Sequence, residues 1–168
     1  MPELPGWLNT LDIEISAIQL DRVRIERSPE PVQLEHLAGV MSWKNHQLRL
    51  SALQLRTKKF ELAGTLTGAL DNPRLELDLH ARNLTQKGGW QELKLKSKLN
   101  AADGQLAGPL ALNLTSSVEE QLTLAGNIAL DEQKLAFTRL ELRSSQRAGR
   151  LVADGRLDFN STAAGLNA

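Results

Sequence analysis

Apolar and polar residues alternate through most of this chain. Leu75, Leu77 and Leu79 enclose Glu76 and Asp78, and Leu93, Leu95 and Leu99 are interleaved with Lys94, Lys96 and Lys98. Leu106, Leu110, Leu112 and Leu114 share one parity, as do Leu122, Leu124, Ile128 and Leu130, which keep it through Gly126. Leu62 and Leu66 do the same on either side of Gly64, and Leu151, Leu157 and Phe159 through Gly155. A period of two puts all such residues on one face of a sheet. The same residues spread around a helix without forming a stripe. Leucine favours helix intrinsically, but strand formation follows face and burial more than propensity, so the pattern decides.

Turn residues separate the runs. They are Asp71-Asn72-Pro73, Gln86-Lys87-Gly88-Gly89, Ala102-Asp103-Gly104, Asp131-Glu132-Gln133 and Arg147-Ala148-Gly149. Short connections of this kind join antiparallel neighbours, which predicts a meander of roughly ten strands. Ser116-x-x-Glu119 has the form of a capping box, but Leu122 follows too closely for a helix, so a tight turn is expected. Pro29 and Pro31 mark a further hairpin loop, and Pro5-Gly6-Trp7-Leu8 begins a short helix or an edge-covering loop. The organisation predicted is a single β-rich segment over 1–168, less regular over 1–58, a regular meander over 59–160, and a tail over 161–168. Both termini look cut from a longer protein.

Parity breaks at four places. Ile13 and Ile15 give way to Ile18 and Leu20 and these to Val23 and Ile25, Leu48 and Leu50 to Leu53 and Leu55, and Leu135 and Phe137 to Leu140 and Leu142. Each slip needs a bulge or a break to keep the apolar residues on one side. A weak repeat places glycine in mid-strand: Ala38-Gly39, Ala63-Gly64, Ala107-Gly108, Ala125-Gly126 and the variant Asp154-Gly155. Glycine there lets a sheet bend sharply, and a recurring one marks a crease.

Composition narrows the function. Lys plus Arg and Asp plus Glu both number 20, so the basic excess that nucleic acid requires is absent. Cysteine is absent, which removes disulfide and thiol chemistry. No metal or other cofactor is implied: His36, His46 and His80 are far apart and lack ligand spacing. Asp12, Glu14, Glu61, Glu76, Asp78 and Glu141 fall on the polar parity of strands, where a solvated face accounts for them. Lys94, Lys96 and Lys98 read as solvation and edge protection, with headgroup contact as the sharper alternative. The triplets starting at Asn83, Asn113 and Asn160 match the glycosylation sequon and are read as coincidence. Trp7, Trp43 and Trp90 sit near strand ends, where they either cap an apolar core or frame a groove mouth. No convergent polar site suggests an enzyme.

The apolar fraction is 41%, the aromatic fraction 4%, and leucine supplies most of the difference. Tight sandwich cores use more Val, Ile and aromatic rings. A purely aliphatic face suits acyl chains. Leu62, Leu66, Leu75, Leu77, Leu79, Leu93, Leu95, Leu106, Leu110, Leu112, Leu114, Leu122, Leu124, Ile128 and Leu130 are the predicted groove lining. The alternative is a β-sandwich or solenoid module for protein–protein interaction, with the leucines as closed core.

The stretch from Leu11 to Ile25, the segment Leu34–Trp43 followed by Asn45 to Leu55, and Phe60-Glu-Leu-Ala-Gly-Thr-Leu-Thr-Gly68 resemble the repeat region of the TamB translocation and assembly module family and the AsmA-like bridge-type lipid-transfer proteins. The resemblance implies a highly curved antiparallel sheet folded over as a β-taco, in the periplasm, as part of an inner-membrane-anchored protein of a Gram-negative bacterium. It implies phospholipid acyl chains and neighbouring repeats of the same chain as partners, and the outer-membrane barrel TamA through regions outside this segment. The family has no fixed catalytic residues to carry over.

Overall fold

Each leucine run pairs edge to edge with the next. The computed structural model describes residues 12–25, 32–85, 89–131, 134–158 and 165–167. Among them eleven strands form one sheet in chain order. They are β1 (Ile13–Ile25), β2 (Val32–Lys44), β3 (Gln47–Thr57), β4 (Phe60–Ala69), β5 (Arg74–Asn83), β6 (Trp90–Ala102), β7 (Gln105–Ser116), β8 (Gln121–Leu130), β9 (Lys134–Ser144), β10 (Arg150–Asp158) and β11 (Gly165–Asn167). Every pairing is antiparallel. The sheet is curled and unclosed, with β1 and β11 as its edges, which is the all-β curved architecture the alternation predicts.

The less regular first third joins this sheet in full: β1 and β2 have 13 residues each and β3 has 11. Within the stretch read as a tail, Gly165–Asn167 pairs with Asp154, Gly155 and Arg156. Trp7, Leu11, Pro29, Pro31, Gln86–Gly88, Glu132, Gln133 and Phe159 lie outside the described residues.

The turns follow their residue chemistry. Asn45 and His46 have φ of 49° and 56°, and Asp103 and Gly104 have 50° and 77°, the paired positive angles of a two-residue hairpin turn. Leu70–Pro73 turns between β4 and β5. Ser116 ends β7 in a tight turn, not a helix: its Oγ accepts from the backbone N–H of Val118 at 3.3 Å and of Glu120 at 3.0 Å.

The parity slips are bulges. Register shifts lie between Ile15 and Ile18 in β1, between Leu50 and Leu53 in β3 and, across β8 and β9, opposite Ala125–Asn127. Ala52 and Arg139 take φ of 50° at the last two, the extra residue turning aside so that alternation resumes on the same face. The mid-strand glycines lie against these points. A Cβ on Gly126 would sit 2.9 Å from Leu140 Cα and 3.0 Å from the Arg139 carbonyl oxygen. A Cβ on Gly108 would run into the Lys98 carbonyl. Gly39 faces Leu53 and Gly64 faces Leu79, while the Phe137 ring covers Gly155. Glycines and bulges are thus staggered through the strand interiors, and bulged strands bend.

The outer face is polar and ordered by charge across neighbouring strands. Asp78 pairs with Lys96 at 3.0 Å and Glu76 with Lys98 at 3.1 Å, each directly opposite its partner. Arg56 pairs with Glu61 at 3.0 Å and Asp21 with His36 at 2.6 Å. Exposed pairs add little stability each. Their effect is on register, because a slip by one residue would oppose each charge with a side chain of the other face. The hydrogen bond from His36, then that from Gln19, holds Asp21 below the ordinary carboxylate range. Arg143, through its hydrogen bond, does the same to Glu141.

Two outcomes follow. Gly108→Val and Gly126→Val place branched side chains against backbone and are expected to lower unfolding free energy by about 3 kcal/mol or more, read from denaturant midpoints. Gly104→Asn, at a turn with open space around it, stays within about 1 kcal/mol of the parent; a Gly108→Val chain of parental stability contradicts the crease. For Asp21, a depressed folded-state pKa means the β1–β2 pair stabilises above the ordinary carboxylate range and loses this as pH falls through the folded value. His36→Ala should move the Asp21 titration, followed by carboxyl-carbon NMR, upward toward that range; an unmoved curve contradicts the assignment.

Candidate functional site

The inner face is continuous because register carries it from strand to strand. One row runs Leu53, Gly64, Leu79, Leu95, Leu112, Leu124, Leu142 and Leu151, each residue directly opposite the next. A second runs Leu55, Leu62, Ala81, Leu93, Leu114 and Leu122. Leu50, Leu66 and Leu77 align in a third, and Leu106, Leu130, Leu135 and Leu157 in a fourth. Leu75 lies opposite Leu99, Leu110 opposite Gly126, and Ile128 opposite Phe137. Every residue of the predicted lining therefore stands on the same face.

That face is only half-buried. Leu34, Ala81 and Leu99 are the buried apolar residues among those described, with Leu99 at 2% exposure. Each residue of the predicted lining retains partial exposure. A sandwich core about 10 Å thick would bury such leucines against a second sheet; here no second layer lies over them, and the described strands make one sheet.

Polar groups on this face are turned onto the chain's own backbone. Ser97 is buried in mid-face, and its Oγ donates to the Pro109 carbonyl at 3.0 Å. Four more stand at the last positions of β3, β5, β7 and β9, at one end of the strands. Thr57 Oγ1 accepts from the N–H of Lys59 and of Phe60, both at 3.1 Å. Asn83 Nδ2 donates to the Trp90 carbonyl at 2.9 Å, and its Oδ1 accepts from the Thr85 N–H at 2.9 Å. Ser116 closes the β7–β8 turn as described. Ser144 Oγ accepts from the N–H of Gln146 and of Arg147, both at 3.1 Å. The alternation pattern points to the leucines but not to these caps; their signal is a small polar residue two positions after the last inward apolar residue of alternate strands.

Residues outside the predicted lining also join it: Ile13, Ile18 and Leu20 in β1, Leu37, Met41 and Trp43 in β2, Leu48–Leu55 of alternating parity in β3, and Leu140 and Leu142 in β9. The parity slips hide them unless one bulged residue is allowed at each. Trp43 stands on this face opposite Ile13 and Leu48 at the β2–β3 end of the strands, whereas Trp90 starts β6 at the other end.

The charged groups do not converge. His36 meets Asp21, His46 meets Asp71 at 2.6 Å, and His80 lies 3.8 Å from Glu92. Among the described residues no three His, Asp or Glu groups gather as metal ligands. The Lys94–Lys98 row is partnered by Glu92, Asp78 and Glu76. Among the described residues no helix is long and apolar enough to cross a membrane.

No curated protein and no solved structure matches this chain. The family model described as the TamB N-terminal domain matches residues 1–166. The chain belongs to the TamB family, whose periplasmic proteins act in outer-membrane assembly and lipid transport in Gram-negative bacteria.

Proposed function

We propose that this chain is a segment of a periplasmic lipid conduit that shields phospholipid acyl chains along its inner face. The carrying observation is an aliphatic face that register makes continuous and that no second layer covers among the described residues. Water on such a face is unfavourable, and each acyl CH₂ that replaces it contributes about 0.8 kcal/mol. A bilayer gives nearly the same, so chains pass between the two without a deep trap. The polar side chains within the face spend their hydrogen bonds on backbone, which leaves no unpaired polar group to repel a hydrocarbon chain.

The work proposed is non-catalytic: the face offers burial and shape, and its charges are dispersed on the opposite side. Neighbouring repeats of the parent protein would extend the face from the open edges, β1 and β11, because an unpaired strand is a template for another. Contact with the TamA barrel, on this reading, is made through regions outside this segment. The partial exposure of the leucines speaks against the alternative of a closed sandwich module.

A charge on the face tests this. Leu77→Arg and Leu112→Arg in the full-length parent are expected to abolish complementation of a strain lacking it, while the protein accumulates normally. An unpaired charge in an apolar path costs several kcal/mol. Glu76→Gln and Asn113→Lys, on the outer face, should complement fully. Degradation of the arginine variants favours a closed core, and full complementation by them defeats the conduit.

A further inference from the structure

The β7–β8 and β9–β10 turns lie side by side at the strand end that carries Thr57, Asn83, Ser116 and Ser144, and a cleft of about 470 Å³ opens between them. Leu122, Leu142 and Leu151 form its floor. They are the last members of the inner face at this end: Leu122 lies opposite Ser144, and Leu142 lies between Leu124 and Leu151. Glu120, Ser144, Arg147 and Arg150 form its wall. Aliphatic surface therefore runs into a charged rim within one cleft.

The rim is held from beneath. Ser144 Oγ donates to the Glu120 carboxylate and accepts the backbone N–H of Arg147. The Glu120 N–H donates to Ser116 Oγ. The Glu120 side chain is 16% exposed, whereas that of Arg147 is 84% exposed. Arg147 approaches Glu120 through Nε at 4.0 Å, and Arg150 approaches Glu141 through Nε at 3.7 Å. Both arginine side chains are largely exposed, at 84% for Arg147 and 61% for Arg150. Among the lining residues Arg147 and Arg150 outnumber Glu120, and Glu141 behind them is shared between Arg150 and Arg143. The same strand end carries Lys58 and Lys59, which make no ion pair among the described residues, together with Arg82, directly opposite Glu61 and Glu92, and Glu119 in the β7–β8 turn. The turns at the opposite end carry Asp71, Asp103 and Asp131.

We propose that this cleft takes the phosphodiester headgroup of a glycerophospholipid whose acyl chains lie on Leu122, Leu142 and Leu151, with Arg147 as the headgroup-binding residue. The inference rests on the acyl-chain reading above and adds an orientation to it: headgroups track the cationic end of the strands. A guanidinium fork matches two phosphate oxygens at once, a match that neither a lysine nor a neutral donor reproduces.

The test compares two lipids with identical chains. The intact chain is mixed with dodecyl maltoside micelles carrying a radiolabelled trace of either dioleoyl phosphatidylglycerol or dioleoylglycerol, then re-isolated, and retained lipid is counted. The wild type should retain more of the phospholipid. Arg147→Gln should lower phospholipid retention about tenfold, the effect of losing one charge-assisted contact, and leave dioleoylglycerol retention unchanged. Arg147→Lys should restore part of it, and Lys134→Gln at the other strand end should change neither. Undiminished phospholipid retention by Arg147→Gln, or an equal loss of both lipids, overturns the headgroup site alone. Arg147-dependent binding of inorganic phosphate without any difference between the lipids overturns it in favour of a free-anion site. Retention of neither lipid by the wild type overturns the acyl-chain reading, and this inference with it.

Discussion

An aliphatic sheet face must be removed from water, and everything in this structure follows from how that is done without a second layer. No helix covers the face and no other sheet packs on it among the described residues. What remains is curvature. The bend follows the mid-strand glycines and bulges: Gly64, Gly108, Gly126 and Gly155 admit neighbouring backbone or rings where a Cβ would collide, and bulges interrupt β1, β3 and β9. Curling reduces the exposure of the leucines but does not end it. Partial burial makes the face both foldable and available, and the proposed function depends on that balance.

The polar groups divide according to the same constraint. On the outer face, cross-strand ion pairs such as Glu76–Lys98 and Asp78–Lys96 fix which residue meets which, and so keep every leucine on the inner side. On the inner face, Ser97, Thr57, Asn83, Ser116 and Ser144 all bond to nearby backbone, so the turns at one end are closed from within the groove side. Those same capped turns present Arg147 and Arg150 beside the aliphatic surface. Structural closure and a charged rim arise from one set of residues.

The sequence made the central meander readable because alternation and turn chemistry agree there. Leu75–Leu79, Leu93–Leu95 and Leu110–Leu114 keep parity without interruption, and Asp103-Gly104 supplies the positive φ its hairpin needs. The first third was harder to place. Ile18, Leu20, Leu53 and Leu55 change parity, and a bulged residue such as Ala52 carries no distinctive side chain to announce it. The glycine repeat signalled a crease, but its alignment across strands is a tertiary fact that register alone supplies. The Glu120–Ser144–Arg147 cluster joins residues 24 and 27 positions apart in sequence, beyond the reach of any local pattern.

The central claim is that acyl chains contact one face and not the other. Photo-crosslinking in cells tests it at a resolution of one residue. A photoreactive side chain at Leu77, Leu95, Leu112 or Leu124 should capture phospholipid, and one at Glu76, Lys94 or Asn113 should not, because adjacent residues in a strand point to opposite faces. Each pair is its own control at the same place along the sheet. Lipid adducts on the leucine parity alone are the predicted result. Equal labelling at Leu77 and Glu76, or adducts at neither, would contradict the account.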